Sequence, residues 1–506
     1  MMAVPLQPRS VPLSRLLHGI APVADRDDRP VTGLQLDSRK IEAGDLFVAC
    51  RGSRVHGISH LAEALQRGAV AVVYDPEGAS GVHPLGVPAV AVENLGDRLG
   101  GIAARFYGDP SRDLRVVGIT GTNGKTSSSH YLAQALHGAD TPCGLIGTLG
   151  SGLFDALESQ PNTTPDAIAV QAALAGFRTA GAAWAVMEVS SHALTQGRVN
   201  GVAFDCAVFT NLSHDHLDYH GDMRAYEAAK RRLFEWAGLG SAVVNADDPV
   251  GRRLLADIDP DLQRIAYGLN PEAVQAAARD GIDPLWAEAV SLDAEGLELR
   301  VQGAWGDGAL RAPLLGRFNA SNLMAVLAVL LREGWSLERA LERLSATRPV
   351  PGRMERFGGG AGPQAVVDYA HTPDALEQAL SALHEHCRGE LWCVFGCGGD
   401  RDRAKRPEMG RIAERWADRV IVTDDNPRGE SGDQIIAEIL QGMRDPARVI
   451  VERHRDTAIR RAFSEAAADD LILVAGKGHE AYQEVAGKRL EQSDRALVRI
   501  LTEAGE

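Results

Sequence analysis

The chain has 506 residues, of which 45% are hydrophobic and 24% are charged, and it carries a formal net charge of −15. This length is too great for a single core and predicts about three domains, while the composition is that of a globular protein. The negative charge argues against a general binder of nucleic acid or membrane surfaces, so local Lys and Arg must meet any anionic ligand.

Nothing in the sequence indicates export or membrane insertion. Residues 1–17 lack the apolar core of a signal peptide, and the longest apolar run, residues 323–331, is far short of a membrane span. The six cysteines form no metal-ligand pairs, which is typical of reduced thiols in the cytosol. We therefore expect a cytoplasmic protein.

The N-terminal region predicts a small α/β domain, residues 1–110. Short apolar strands are expected at 46–49, 69–74 and 89–92, with one helix at 61–67. A Gly-Asp-Pro-Ser turn is predicted at 108–111, just before the next strand.

The segment 116–127 predicts a phosphate-binding loop. A β-branched run ends in a glycine-rich turn, and Lys125 and Thr126 open an amphipathic stretch at 127–137. Glycines let backbone N–H groups crowd a phosphate, the helix presents its positive end, and the lysine adds a point charge. Ile119 stands where the usual motif has its first glycine, which leaves Gly-x-x-Gly-Lys-Thr. We favour a nucleoside triphosphate site over a simple turn between strand and helix.

The region around this loop, residues 111–347, predicts a mostly parallel sheet with flanking helices. Buried strands at 184–189, 206–210 and 242–245 alternate with helices, and residues 303–311 look like an exposed hairpin.

Several side chains of this region are candidates for metal chemistry. Glu188 ends a buried strand, and beside a phosphate loop we favour a Mg²⁺ ligand over a strand-end charge. Residues 210–220 are rich in Asn, His and Asp; each histidine alone reads as part of a polar loop, but the cluster favours a phosphate–metal site. Lys230, taken by itself, predicts an exposed helical lysine. Capping explains one of Asn319 and Asn322, and the second suggests a ligand contact.

Residues 348–506 predict a doubly wound, Rossmann-like α/β domain with a helix at 434–443. Its strands are expected at 365–367, 391–395, 420–423 and 471–474. Polar or glycine-rich loops follow three of them, at 396–401, 424–428 and 476–480. Because ligands of open α/β sheets bind at the carboxyl ends of strands, these loops predict one shared site. In it, Arg428 suits bidentate capture of a carboxylate, although a surface arginine is the alternative.

Together these features resemble the Mur ligases, a family of ATP-dependent amide-bond-forming enzymes that build the peptidoglycan stem peptide. The resemblance covers almost the whole chain. Gly121-Thr122-Asn123-Gly124-Lys125-Thr126 is similar to the family's own shortened P-loop, and Asp425-Asn426-Pro427-Arg428 resembles the motif by which one member recognises meso-diaminopimelate. The resemblance implies a monomer that adds meso-diaminopimelate to UDP-N-acetylmuramoyl-L-alanyl-D-glutamate through an acyl phosphate, with ATP as substrate and Mg²⁺ as cofactor.

Carried over to matching positions, the resemblance also implies the site residues. The UDP substrate would contact Leu36, Ser38, Ser53, Arg54, Val55, Asn162, Thr163, Thr164, Ser190, Gln196 and Arg198. ATP would contact Gly121, Thr122, Asn123, Gly124, Lys125, Thr126, Ser127, Asn319, Arg353 and Asp368. Diaminopimelate would contact Arg401, Asp425, Asn426, Pro427, Arg428, Gly476 and Glu480. The catalytic residues would be Lys125, Glu188, His216 and Lys230. Mg²⁺ would be held by Thr126, Glu188, His216 and Lys230, the lysine as a carbamate.

Other functions stay open at this stage. A related ligase could add L-lysine, and a folylpolyglutamate synthase has a similar P-loop but needs neither Asp37-Ser38-Arg39 nor Asp-Asn-Pro-Arg. A P-loop kinase would phosphorylate its acceptor stably without an amine. A nucleotide-gated binding protein without turnover would not require Glu188, His216 and three convergent loops.

Overall fold

The computed structural model describes residues 9–52, 55–79, 86–138, 141–278, 281–293, 296–359 and 362–503. Within them, no helix is both long enough and apolar enough to cross a membrane. All six cysteines are free thiols.

The N-terminal part of the chain is a small α/β unit. Its elements are β1 (Val11–Pro12), α1 (Leu13–Leu16), β2 (Pro30–Val31), β3 (Gly33–Gln35), β4 (Asp45–Ala49), α2 (Leu61–Gln66), β5 (Ala71–Tyr74), β6 (Ala89–Ala91) and α3 (Leu95–Tyr107). In the described residues β3 to β6 form a parallel sheet in sequence order, and β1 pairs with β2. Helices α1 and α3 cover one face of this sheet and α2 covers the other.

The central part is built on a long mixed sheet. Its elements are β7 (Arg115–Thr120), α4 (Lys125–Leu136), β8 (Cys143–Gly147), β9 (Gly150–Leu153), β10 (Ala156–Glu158), α5 (Ala167–Thr179), β11 (Trp184–Glu188), α6 (Ser191–Thr195), β12 (Cys206–Phe209), α7 (Leu217–His220), α8 (Met223–Arg231), β13 (Ser241–Asn245), α9 (Pro249–Asp257), β14 (Gln263–Gly268), α10 (Pro271–Ala277), β15 (Ile282–Asp293), β16 (Gly296–Gly303), β17 (Gly306–Ala312), α11 (Arg317–Arg332) and α12 (Leu337–Ser345). The order is β10-β9-β8-β11-β7-β12-β13-β14-β15-β16-β17, in which β8 to β15 run parallel across the middle. The mostly parallel sheet and the hairpin of β16 and β17 agree with the sequence analysis.

Successive side chains along each strand point to opposite faces of the sheet, so a hydrophobic core lies on each face. In β7, Val117 and Ile119 face the core formed with α4 and α11, whereas Val116 faces the core formed with α5, α6, α9 and α10. Strands buried on both faces are expected in a sheet covered by helices on both sides. The carboxyl ends of β7, β11 and β12 therefore meet at one edge.

The C-terminal part is a doubly wound sheet, as predicted. Its elements are β18 (Glu355–Phe357), β19 (Gln364–Asp368), α13 (Pro373–His386), β20 (Leu391–Phe395), α14 (Lys405–Trp416), β21 (Arg419–Val422), α15 (Gly432–Leu440), β22 (Ile450–Val451), α16 (Arg455–Glu465), β23 (Leu471–Ala475), β24 (Tyr482–Val485), β25 (Lys488–Glu491) and α17 (Asp494–Glu503). The sheet order in the described chain is β18-β19-β23-β20-β21-β22, parallel from β19 to β22. Helices α13 to α15 cover one face and α16 and α17 the other.

Two local predictions were wrong. The helix after the P-loop is not amphipathic, because ten of the twelve residues of α4 are buried between the sheet and α11. Asn319 and Asn322 do not cap α11: this helix begins after Gly316, and both asparagines lie inside it with their amides bonded to neighbouring helices and turns. A buried polar face on α4 needs such internal partners, which periodicity alone does not reveal.

Candidate functional site

The turn between β7 and α4 has the backbone shape of a phosphate cradle. Gly121 and Gly124 adopt φ values of 154° and 85°. A Cβ atom at Gly121 would collide with Thr210 Oγ1, and one at Gly124 with Asn322 Oδ1. Both positions therefore require glycine. Among the described residues no side chain caps α4, which leaves its first N–H groups available to an anion.

A cavity of about 300 Å³ opens beside this turn, between the central and C-terminal sheets. The predicted residues that line it are Thr122, Asn123, Gly124, Lys125, Thr126, Ser127, Thr163, Glu188, Ser190, His216, Lys230, Arg353 and Asp368. Two predicted ATP contacts do not line it. Gly121, in the turn, does not reach the cavity. Asn319 uses its amide in hydrogen bonds with Tyr131 and Leu315, and Asn322 lines the cavity instead.

Glu188, at the carboxyl end of β11, is fully buried beside the P-loop. Its Oε2 accepts hydrogen bonds from Thr126 Oγ1 at 2.9 Å and Thr148 Oγ1 at 3.1 Å, and its Oε1 accepts from Thr148 N at 2.8 Å. No ion pair neutralises this carboxylate within the described part of the chain. A buried carboxylate needs a cation, and carboxylate and hydroxyl oxygens are ligands that Mg²⁺ prefers, so the donor set fits this ion.

The fit depends on ligands from a substrate as well. No group of three or more His, Cys, Asp or Glu able to hold a metal occurs among the residues that the structure describes. Thr126 and Glu188 would therefore hold Mg²⁺ only together with phosphate oxygens and water, which are its usual ligands at nucleotide sites.

Lys125 and Lys230 point at the same atom. Lys125 Nζ donates to the carbonyl oxygens of Gly121 and Thr122, each at 2.8 Å, and Lys230 Nζ donates to the Gly121 carbonyl at 2.7 Å. Burial lowers the pKa of Lys125, although the Glu188 carboxylate opposes this. Burial, together with the charge of Lys125, lowers the pKa of Lys230 well below its usual value.

The prediction from residue type alone, that Lys230 is an exposed helical lysine, was wrong. It is 2% exposed rather than a surface lysine, because α8 turns it inward under the P-loop. Its ammonium nitrogen lies 4.4 Å from the ring centroid of Tyr226. Lys230 lines the cavity, and its role there as a carbamylated metal ligand stays a prediction from the family resemblance.

His216 enters the cavity from the loop after β12. It has a left-handed φ of 54° and lies 3.3 Å from Asp215 through Nε2 and Oδ2. Burial lowers the pKa of its imidazole, with Asp215 opposing, so the neutral ring that can bind a metal is favoured. The ring centroids of His192 and His216 are 4.9 Å apart, and burial lowers the pKa of His192 to about 4.

Arg353 and Asp368 form the cavity wall on the C-terminal side. The guanidinium of Arg353 lies 4.3 Å from the ring centroid of Tyr369, and its buried Nε has no partner among the described residues. Asp368 accepts from the N–H groups of Met354 and Ala370 at 2.7 and 2.8 Å. Burial raises the pKa of Asp368, while the Arg353 charge opposes it.

The predicted contacts of the UDP substrate fall into two groups. Thr164 Oγ1 donates to Glu188 O at 2.8 Å, and Arg198 donates to Thr164 O at 2.8 Å and through a fork to Gln196 Oε1. This group therefore adjoins the cavity, with Asn162 exposed nearby. In the N-terminal part of the chain, outside its strands, Leu36 packs on the core, Ser38 Oγ donates to Glu63 and Val55 is exposed. Ser53 and Arg54 lie outside the described residues.

Three loops of the C-terminal sheet converge, as predicted. Glu480 accepts from Asn426 Nδ2 and Lys477 Nζ, each at 2.9 Å, and Lys477 Nζ also donates to Asn426 Oδ1 at 3.0 Å. Arg428 Nη1 donates to Gly399 O at 2.9 Å. A Cβ atom at Gly476 would crowd the Asp425 carboxylate, and one at Gly398 would approach both Arg401 and Arg428. Pro427 is buried in the same loop.

The C-terminal part also contacts the P-loop directly. Asp374 Oδ2, at the start of α13, accepts from Asn123 Nδ2 at 2.9 Å and Ser213 Oγ at 3.2 Å. Sequence reasoning did not name Asp374, Thr148 on Glu188 or Lys477 on Glu480. Thr148 and Lys477 carry a usable signal, because each follows a buried strand within two residues, and Lys477 lies in the predicted loop 476–480. Asp374 carries no such signal.

Comparison with known proteins identifies the family. The Mur ligase middle domain matches residues 119–330, the Mur ligase glutamate ligase domain residues 352–478, and the Mur ligase catalytic domain residues 30–107. The chain belongs to the Mur ligase family. The prediction of the family and of its three-part α/β architecture is thus confirmed, and the chain is a ligase.

Several relatives carry the same name. UDP-N-acetylmuramoyl-L-alanyl-D-glutamate–2,6-diaminopimelate ligase of Alkalilimnicola ehrlichii is 51% identical, over 97% of this chain and 99% of its own. The protein of that name from Pseudomonas aeruginosa is 50% identical, over 95% and 98%. A solved structure of such a ligase has a TM-score of 0.70 at 36% identity, covering 98% of this Mur ligase and 99% of its own chain.

The rival family is more distant. A folylpolyglutamate synthase from Mycobacterium tuberculosis, complexed with ADP and AMPPCP, has a TM-score of 0.60 at 20% identity. The match covers 91% of the synthase chain but 74% of this one. A likeness at this identity concerns the fold alone.

Proposed function

We propose that this Mur ligase joins meso-diaminopimelate to UDP-N-acetylmuramoyl-L-alanyl-D-glutamate with hydrolysis of ATP to ADP and phosphate, in the cytoplasm. This proposal rests mainly on one observation: the P-loop turn, Glu188 and Lys230 line the same cavity as Arg353 and Asp368. The names of the relatives support the choice of substrates. We also propose domain boundaries near residues 110 and 347, and a monomer.

ATP is proposed to lie with its phosphates over the turn before α4. The uncapped N–H groups and Lys125 neutralise the β- and γ-phosphates, so Lys125 exchanges the Gly121 and Thr122 carbonyls for phosphate oxygens. Arg353 and Asp368 flank the nucleoside. The use of ATP is supported by the ADP and AMPPCP that the synthase of the same fold contains.

The chemistry starts from a carboxylate, which is a poor electrophile. Its oxygen attacks the γ-phosphorus of ATP, ADP leaves, and the resulting acyl phosphate has a good leaving group. The amine of the second substrate then attacks the acyl carbon and phosphate departs. For such a transfer, positioning and charge neutralisation supply most of the catalysis.

Thr126 and Glu188 are proposed to hold one Mg²⁺, and His216 with Lys230 a second. When bound, the ions would neutralise charge on the phosphate oxygens. Lys230 must become anionic to bind a metal ion, and carbamylation would give it that negative charge. A neutral amine adds to the carbon of CO₂ and loses a proton, and the lowered pKa of Lys230 supplies that neutral amine.

The three convergent loops are proposed to bind diaminopimelate, with Arg428 on its distal carboxylate. Lysine lacks this carboxylate and would leave the guanidinium without its partner. A site built for a hydrogen-bonding group rejects analogues that lack it by factors on the order of 10⁴. The UDP substrate is proposed to lie along Thr164, Ser190 and Arg198 towards Ser38.

A phosphate-release assay with the UDP-muramoyl dipeptide, ATP, Mg²⁺ and either diaminopimelate or lysine tests the proposal. We expect release that depends on diaminopimelate and is lost in Lys125→Ala, whose circular dichroism stays native. Release without an amine would favour a kinase. Full activity in Lys125→Ala would overturn the seat of ATP.

A further inference from the structure

The segment after β12, residues 210–213, lies directly against the P-loop turn. Thr122 N and Asn123 N donate to Asn211, the first to its carbonyl oxygen and the second to its Oδ1, each at 2.9 Å. In return, Asn211 Nδ2 donates to the Asn123 carbonyl oxygen at 3.1 Å, and Thr210 Oγ1 donates to the same oxygen at 2.6 Å. The side chain of Asn211 therefore bonds both backbone polar groups of Asn123.

The 210–213 segment is fixed to the central sheet by two further hydrogen bonds. Asn245 Nδ2, at the buried end of β13, donates to Thr210 O at 2.7 Å. Leu212 N donates to the carboxylate of Asp248 at 2.8 Å, and the same carboxylate caps α9. The P-loop turn is therefore held through this segment as well as by β7 and α4.

The shortness of the loop makes this support important. Only residues 121–124 separate β7 from α4, because Ile119, in place of the first glycine of the usual motif, is buried within the strand. So short a loop has few backbone groups with which to fix its own shape. The contacts from Asn211 supply what the loop lacks.

Asn211 also determines which N–H groups of the turn are left for a ligand. Because it accepts from Thr122 N and Asn123 N, an anion is left with Lys125 and the N–H groups at the start of α4, which no side chain caps in the described chain. Asn211 itself does not line the cavity. Any effect that it has on a bound phosphate must therefore pass through Thr122 and Asn123, which do line it.

We propose that Asn211 is a positioning residue for the phosphates of ATP, an inference that rests on the proposed function. It holds Asn123 in the conformation in which Lys125 and the start of α4 face the phosphates. Without its amide the turn loses two hydrogen bonds and must be ordered by ATP itself, which weakens nucleotide binding and misplaces the γ-phosphate. The UDP substrate and diaminopimelate are proposed to bind elsewhere, so their KM values do not depend on Asn211.

The test compares Asn211→Ala with Asn270→Ala in the full-length enzyme. Asn270 is an exposed asparagine that also makes two hydrogen bonds to backbone, as the cap of α10, and it does not line the cavity. Calorimetry with ADP and Mg²⁺ gives the nucleotide Kd, phosphate release gives kcat and the KM of each substrate, and thermal melting gives Tm.

In Asn211→Ala we expect the Kd of ADP and the KM of ATP to rise about tenfold and kcat to fall, with the KM of the UDP dipeptide and of diaminopimelate unchanged. Asn270→Ala should lower Tm and leave the Kd, the KM values and kcat as in the wild type. Asn211→Asp keeps the acceptor for Asn123 N, loses the donor to the carbonyl and adds a negative charge beside the turn. We therefore expect at least the same rise in the Kd of ADP.

Wild-type values of the ADP Kd and the ATP KM in either Asn211 variant would overturn the inference. An equal rise in the KM of all three substrates together with a lower Tm would assign Asn211 to the fold alone, and so would loss of native circular dichroism in both variants; each result overturns the positioning role. A wild type that does not bind ADP and Mg²⁺ contradicts the proposed function itself.

Discussion

Lys125 and Lys230 donate to one carbonyl oxygen, that of Gly121, at 2.8 and 2.7 Å. Two ammonium groups on one acceptor repel each other, and burial removes the water that would screen them. The repulsion and the burial together explain why the pKa of Lys230 lies well below its usual value. The P-loop lysine therefore favours the neutral form of the second lysine.

This relationship predicts a pH dependence of stability. The pKa of Lys230 is lowered on folding, so the unfolded chain binds more protons between the lowered value and 10.5. Stability contributed by this group must then rise with pH across that window, by at most about 1.4 kcal/mol per pH unit. In CO₂-depleted buffer, Lys230→Met should flatten the rise of Tm with pH from 7 to 10.

The matched control for this measurement is Lys40→Met, which removes an exposed lysine far from the cavity. Its Tm profile should follow that of the wild type. Parallel profiles for Lys230→Met and the wild type would show that Lys230 is an ordinary, protonated lysine.

Glu188→Gln should abolish turnover without unfolding the protein. The substitution keeps the size of a buried side chain and removes the charge that Thr126 and Thr148 surround. We expect kcat/KM to fall by about 10³-fold, the order found when a charge-stabilising group is lost, and the Mg²⁺ requirement to rise. Phosphate release titrated with Mg²⁺ measures both.

Glu342→Gln, on the exposed face of α12, provides the comparison. It should behave as the wild type. A Glu188→Gln enzyme with normal kcat/KM and normal Mg²⁺ dependence would remove the metal assignment.

Arg428→Ala should impair use of diaminopimelate and leave ATP binding intact. Loss of a bidentate contact to a carboxylate costs about 3 kcal/mol, or roughly a hundredfold in KM. Arg428 does not line the cavity in which we propose that ATP lies, so the Kd of ATP by calorimetry should not change. Arg460→Ala replaces an exposed arginine of α16 and is the control; equal effects of the two variants would refute the assignment.

Asp374→Ala should weaken ATP binding rather than the fold. Asp374 joins the C-terminal part to Asn123 of the P-loop and to Ser213, and each hydrogen bond contributes about 1 kcal/mol. We expect the KM for ATP to rise about fivefold with Tm within about 2 °C. Glu385→Ala, on an exposed turn of the same helix, should have no effect on KM. A lower Tm at unchanged KM would assign Asp374 to stability instead.

The sequence predicted the elements that local patterns determine. Strand 391–395 has the same bounds in the structure, and strand 184–189 differs by one residue, because short apolar runs between polar segments are strong signals. The convergence of the loops after β20, β21 and β23 also followed, since it depends only on a parallel sheet.

Features that depend on contacts between distant segments were not predictable. Lys230 reads as a surface residue because nothing in α8 shows that the P-loop covers it. The polar face of α4 reads as solvent-exposed, although α11, nearly two hundred positions later, buries it. Asp374 reads as an ordinary first-turn acid of α13, and only the folded chain brings it to Asn123.

The walls of the cavity come from two sheets that share no strand, with Lys125 and Glu188 on one side and Arg353 and Asp368 on the other. A ligand in this cavity contacts both parts of the chain and therefore stabilises them against separation. We consequently expect a calorimetric scan to show two melting transitions without nucleotide and one transition with ADP.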